Sequence, residues 1–135
     1  LNRIEWTDLM SVGIKQFDDQ HKILFSLLNK LYTAIAVNDE YEIQEKRITD
    51  LVIYIETHFS EEEKYFAQFN YPLREEHIRE HKYFYNKVKG YATDFYSGRV
   101  VKNIELWDFL IDWLKAHILK SDNKYKEFFL SKGLK

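Results

Sequence analysis

The 135-residue chain carries 20 Lys and Arg against 22 Asp and Glu, and 45% of its residues are hydrophobic. That length is enough to bury a core within one domain, and a net charge of −2 without a basic cluster argues against a nucleic-acid partner. The absence of Cys excludes disulfides, thiolate-bound zinc, Fe–S clusters and a Cys nucleophile. With no apolar run of membrane-spanning length and no signal-peptide pattern, the expectation is a cytoplasmic protein without a membrane segment. Four Gly and one Pro leave few turns, which favours a few long helices.

Residues 1–17 read as an arm lying over the fold, with Trp6, Leu9, Met10, Val12 and Ile14 as packing groups. The first helix opens near Asp18 or Asp19, either of which can cap it. Its apolar positions Ile23, Leu24, Leu27, Leu28, Leu31 and Ile35 repeat at helical spacing, with His21 on or beside the stripe. Asn38-Asp39 makes a connection, and a second helix runs from about Glu40 to Phe69. His58 and Glu62 share a face of it, whereas Glu61 and Glu63 read as solvated.

Asn70-Tyr71-Pro72 ends that helix, since Pro cannot continue one. Pro72 suits the first turn of a third helix running from about Leu73 to Tyr96, on which His77 and His81 are one turn apart. After Ser97-Gly98, a fourth helix spans about Asn103 to Leu130. Four long helices with short connections and one apolar stripe each predict an all-α, up-down-up-down four-helix bundle. The expected organisation is one domain over 1–135, with the arm at 1–17 and the bundle at 18–131.

His58 and Glu62, and His77 and His81, each place two metal-binding side chains on one helical face. His117 and Asp122 are five apart, which separates them by roughly 140° on an ideal helix. They reach one interior point only from its two flanks, or through a local π-type bulge. A single His, or one His-x3-Glu, is more often structural than ligating. Here all five His of the chain fall on inward helical positions near one level of the bundle.

Five imidazoles and two carboxylates exceed what one tetrahedral zinc takes. Two metals that share bridging Glu62 and Asp122 is the economical reading. Imidazole suits Fe, Zn, Cu and Ni, so the ligand types alone do not choose the metal. Neutral imidazoles in place of carboxylates disfavour high-valent iron, which points to reversible ligand binding over oxidation. No nucleophile sits in a hydrolase-type motif.

These residues carry a family resemblance. Trp6 with Ser11-Val12-Gly13, Asp19-Gln20-His21-Lys22, His58-Phe59 with Glu62-Glu63, Tyr71-Pro72, His77-x3-His81, and His117-Ile118 with Asp122 and Tyr125 resemble the hemerythrin family, in particular its single-domain bacterial members. The match spans residues 6 to 125. One departure is Phe66, where the bacterial proteins are expected to carry Met.

The resemblance implies two iron ions joined by an oxo or hydroxo group together with Glu62 and Asp122. His77, His81 and His117 complete one iron; His21 and His58 hold the other, which keeps an open position for dioxygen. Leu24, Phe59, Trp113, Leu114 and Ile118 are implied to wall off that position, and Tyr125 to lie near the carboxylates. The expected function is reversible dioxygen binding for storage, delivery or buffering, in a non-enzymatic monomer or weak oligomer. The alternatives are an O2- or redox-sensing domain of a longer signalling protein, a di-iron oxidoreductase, or an iron-storage module.

Overall fold

The computed structural model describes residues 3–99 and 103–135, so residues 1 and 2 of the expected arm lie outside the described part. Four helical arms form the bundle: α1 (Lys15–Ala36), α2 (Tyr41–Gln68), α3 (Arg74–Tyr96), and a composite arm. The last consists of α4 (Ile104–His117), a π-helical turn over Ile118–Asp122, and α5 (Asn123–Ser131). Helix α1 packs on α2 and α4, and α3 also packs on α2 and α4, which is the ring expected of an up-down-up-down bundle. None of the described helices is long and apolar enough to cross a membrane.

The helix ends follow from local chemistry. At the ends of α1, α2 and α3 the chain turns left-handed at Asn38 (φ 52°), Asn70 (φ 55°) and Gly98 (φ 73°). The next residue's N–H then bonds back into the last turn: Asp39 to Ala34 at 2.9 Å, Tyr71 to Phe66 at 2.9 Å, and Arg99 to Asp94 at 2.9 Å. This Schellman closure satisfies carbonyls that a helix end leaves open, and Asn or Gly is the residue that tolerates its backbone. Asn103 caps α4 by accepting the Leu106 N–H at 3.2 Å.

Several expectations change. Helix α1 begins at Lys15, ahead of Asp18 and Asp19. Asp18 instead reaches back to the arm, accepting from the Ser11 hydroxyl at 2.6 Å and the Val12 N–H at 2.8 Å. Pro72 stands before α3 in a turn closed by Arg74 N–H on the Tyr71 carbonyl at 3.3 Å, and α3 itself starts at Arg74. Leu9 is 79% exposed, because the short 3-10 turn Asp8–Met10 sends Met10 inward and Leu9 out. Ile23 is likewise exposed, at the edge of the α1 stripe.

The core divides into two clusters. The larger fills the bundle body with Leu28, Leu31, Ile55, Phe84, Val88 and Trp107, and the buried arm residues Ile4 and Met10 close it. The smaller holds Val12, Ile14, Phe17, Phe66, Tyr71, Tyr125 and Phe129 at the other end. All five His contact rings of these clusters or one another.

The arm's turn depends on Gly13, whose φ is +74°. A Cβ there would sit 3.4 Å from Leu130 Cδ1 and 3.4 Å from Lys126 Cε, in a conformation that L-residues rarely adopt. Gly13→Ala should therefore lower stability by about 1 kcal/mol. In chemical denaturation the midpoint should shift down without a change of slope.

Candidate metal centre

Each arm of the bundle delivers part of one buried cluster. Helix α1 contributes His21, α2 His58 and Glu62, α3 His77 and His81, and the composite arm His117 and Asp122. All seven are at most 4% exposed. The spacing of five between His117 and Asp122 is resolved by the π-turn, the second of the two routes open to it. An extra residue in that turn brings both side chains to one side, with His117 Nε2 3.2 Å from Asp122 Oδ1. Asn123 bonds the Ile118 carbonyl through both its backbone N–H and its side chain, the latter at 2.9 Å, and so holds the widened turn.

The carboxylate oxygens divide the imidazoles into two groups. Glu62 Oε1 lies 3.1 Å from His81 Nε2, and Asp122 Oδ1 lies 2.9 Å from His77 Nε2 and 3.2 Å from His117 Nε2. Glu62 Oε2 lies 3.4 Å from His21 Nε2 and 3.5 Å from His58 Nε2, and Asp122 Oδ2 lies 3.1 Å from His21 Nε2. Each carboxylate thus turns one oxygen to the group His77, His81, His117 and the other to the group His21, His58.

These short separations lack the direction of hydrogen bonds. The Nε2 atoms of His21, His77, His81 and His117, with Glu62 Oε1 and Asp122 Oδ1, are buried with no hydrogen-bond partner. Buried polar atoms in that condition are costly. Lone pairs that converge without pairing suit a cation between them. Ligands at right angles on a cation about 2.1 Å away stand about 3 Å apart, which is the spacing seen. The donors fit two such ions: Glu62, His77, His81, His117 and Asp122 form one candidate ligand group, and His21, His58 and Glu62 another.

The outer ring nitrogens are held from behind, by residues that the sequence alone does not single out for this role. His58 Nδ1 lies 2.7 Å from Gln20 Oε1, His81 Nδ1 2.8 Å from Glu63 Oε2, and His117 Nδ1 2.9 Å from Glu80 Oε1. The Ser121 hydroxyl also donates to Glu80 at 2.7 Å. Glu63, expected as a solvated residue, is thus a histidine partner; one turn along α2 from Phe59, it faces α3. Its signals in the sequence were its place in a run of three Glu and in the Glu62-Glu63 pair that carries the family resemblance. Each acceptor leaves Nε2 free to face inward.

The apolar residues singled out in the sequence surround the same cluster. The Phe59 ring stacks on His81 at 3.8 Å, and Trp113 stacks on His117 at 5.0 Å. Leu24, Leu114 and Ile118 are buried in the same apolar cluster as Phe59. Tyr125 comes from the opposite cluster and donates its hydroxyl to Glu62 Oε2 at 2.5 Å. Phe66, the departure from the expected Met, is fully buried with its ring 4.7 Å from that of His77.

Burial opposes the charge on His21, but the nearby Asp122 and Glu62 carboxylates outweigh it, raising it to about 9. The same balance, helped by Glu80, raises His117 to about 10. At His58 burial wins and lowers it to about 4. Hydrogen bonding from His117 and Ser121 lowers Glu80 to about 2 against the cost of its partial burial.

Two predictions follow from these environments. A raised imidazole stabilises the metal-free fold below its ordinary 6.5 and loses that contribution as pH climbs through the folded value. The unfolding temperature of metal-free protein should therefore fall between pH 6.5 and 10, as His21 and His117 lose protons. Metal-loaded protein should lack that decline, because ligation already requires neutral imidazole. Glu80→Gln keeps an acceptor for His117 without the charge, and should weaken metal affinity by about 10-fold or more in chelator competition.

With this geometry in view, comparison with known proteins is specific. The family model described as hemerythrin HHE cation binding domain matches residues 12–129. A bacteriohemerythrin of Clostridium acetobutylicum is 34% identical over 127 residues, covering 89% of this chain and 96% of that protein. A hemerythrin-like protein of Naegleria gruberi is 32% identical over 121 residues, covering 90% and 89%. Among solved structures, wild-type hemerythrin superposes with a TM-score of 0.85 at 28% identity, covering 92% of this chain and 95% of that one. Sequence, fold and the convergence of seven buried donors agree: the chain belongs to the hemerythrin family.

Proposed function

We propose that the protein binds dioxygen reversibly at a di-iron centre held by His21, His58, Glu62, His77, His81, His117 and Asp122, without turning over a substrate. The observation that carries this reading is the unequal division of donors. One position has His77, His81, His117, Glu62 Oε1 and Asp122 Oδ1 around it. The other has only His21, His58, Glu62 Oε2 and Asp122 Oδ2. The poorer position is one protein donor short of its neighbour, which leaves it room for a small ligand.

Two non-haem iron ions supply the reversible electron donation that holding dioxygen requires. The protein's part is containment. Leu24, Phe59, Leu114 and Ile118, all nearly inaccessible, keep water from the cluster, and Trp113 covers His117. Excluding water slows proton delivery and with it irreversible oxidation. Burial and the charges of Glu62 and Asp122 push the Tyr125 hydroxyl well above its ordinary value, so it stays protonated and serves as a fixed donor to Glu62. Five neutral imidazoles with two carboxylates give the centre less negative charge than a carboxylate-rich set. That favours ligand carriage over high-valent oxidation.

The deciding measurement is the visible spectrum of reduced, iron-loaded protein as dioxygen is admitted and then removed under argon. An absorption band that grows with dioxygen and disappears under argon supports carriage. A band that never reverts points to a sensing or oxidising role instead, and no change at full iron content defeats the proposal. Tyr125→Phe should retain its iron yet lose the oxygenated form about tenfold faster over repeated cycles, the scale of one charge-assisted hydrogen bond. An unchanged lifetime would remove Tyr125 from the mechanism.

A further inference from the structure

Away from the metal cluster, a cleft of about 510 Å³ opens where the arm crosses α1 and the start of α2. Its volume falls in the range of small-molecule sites. Trp6 and the buried Phe25 give it an apolar wall, and Arg3, Lys22, Lys30 and Arg47 stand around it. The arm side is fixed, because Asn29 on α1 grips Ile4 from both sides. The Ile4 N–H donates to Asn29 Oδ1 at 3.0 Å, and Asn29 Nδ2 donates to the Ile4 carbonyl at 2.9 Å.

Charge sets this cleft apart from the rest of the molecule. Four cations face one carboxylate, Asp39, in a chain whose net charge is −2. Asp39 is engaged elsewhere, accepting the Glu40 N–H at 2.9 Å. The ion pairs among the described residues involve none of these four cations. Lys22 instead extends over the Trp6 ring, its Nζ 4.8 Å from the ring centre. Lys22 and Lys30, eight residues apart on α1, both border the cleft. Arg47 approaches from α2 across the cleft, and its planar fork matches a phosphate or carboxylate.

We propose that this cleft is a binding site for a small organic anion that joins a planar ring to a multiply charged group such as phosphate. The ring lies against the wall formed by Trp6 and Phe25, and the anionic group takes Lys30 and Arg47 as charge-assisted donors. The site is separate from the metal cluster: the residues lining it include none of the seven donors. It is independent of whether dioxygen is the metal ligand.

The test is calorimetric titration of the metal-loaded protein with adenosine monophosphate, inorganic phosphate and adenosine as separate probes. The monophosphate should bind about tenfold tighter than either fragment and weaken as salt is raised. Lys30→Ala and Arg47→Ala should each reduce its affinity about tenfold. Lys89→Ala, an exposed change on α3 outside the cleft, should leave it unchanged. Equal binding of inorganic phosphate would remove the ring from the proposal. Binding that survives both cleft substitutions, or no binding of any probe, would overturn it. Metal content and the visible spectrum, unchanged in the two cleft variants, separate loss of this site from damage to the fold.

Discussion

Seven polar side chains from four helical arms share one dry volume, and the terms on which they can do so govern the rest of the molecule. Two carboxylates and five imidazoles are taken out of water there. Desolvating even one ionised carboxylate costs several kcal/mol unless opposite charge or directed hydrogen bonds offset it. Tyr125 gives the cluster a directed bond from the neighbouring core, to Glu62. Inward-facing lone pairs that approach one another without pairing suit a cation between them, and His21 and His117 answer the same demand in metal-free protein by holding protons. Metal binding and the packing of the arms are in that sense one equilibrium, since every arm carries at least one of the donors.

The contacts behind the imidazoles are uneven, and the unevenness follows the two candidate ligand groups. Carboxylates, Glu63 and Glu80, stand behind His81 and His117, while the neutral amide of Gln20 stands behind His58. His21 has no hydrogen-bond partner at Nδ1 at all. A carboxylate behind an imidazole makes it a stronger electron donor than an amide does. The donor-rich position is therefore also the electron-rich one. The position with fewer donors is backed only by the neutral amide of Gln20. Donor number and electron donation are thus biased the same way between the two candidate ligand groups.

Much of the fold was legible because its signals are local. Helix period, the Asn and Gly residues that end helices, and the lone Pro each act within a few residues, and they located four arms to within a few positions. The pairs His58 with Glu62 and His77 with His81 were legible for the same reason, since one helical turn relates them. Errors fell where a choice between neighbours depends on what packs above. Leu9 and Met10 are adjacent and similarly apolar, but only Met10 is covered. Asp18 had the chemistry of a helix cap, yet the arm offered it the Ser11 hydroxyl and the Val12 N–H instead.

The sequence by itself determined four helical arms and the one-turn pairs His58 with Glu62 and His77 with His81, because periodicity and side-chain chemistry are properties of short stretches. Only the tertiary structure decided that a π-turn, rather than approach from two flanks, brings Asp122 beside His117. It alone decided which oxygen of each carboxylate faces which imidazoles, and that Glu63 and Glu80 stand behind two of them. It also decided that four scattered cations border one cleft. These are distances between helices, set by how whole faces pack, and no local pattern encodes them.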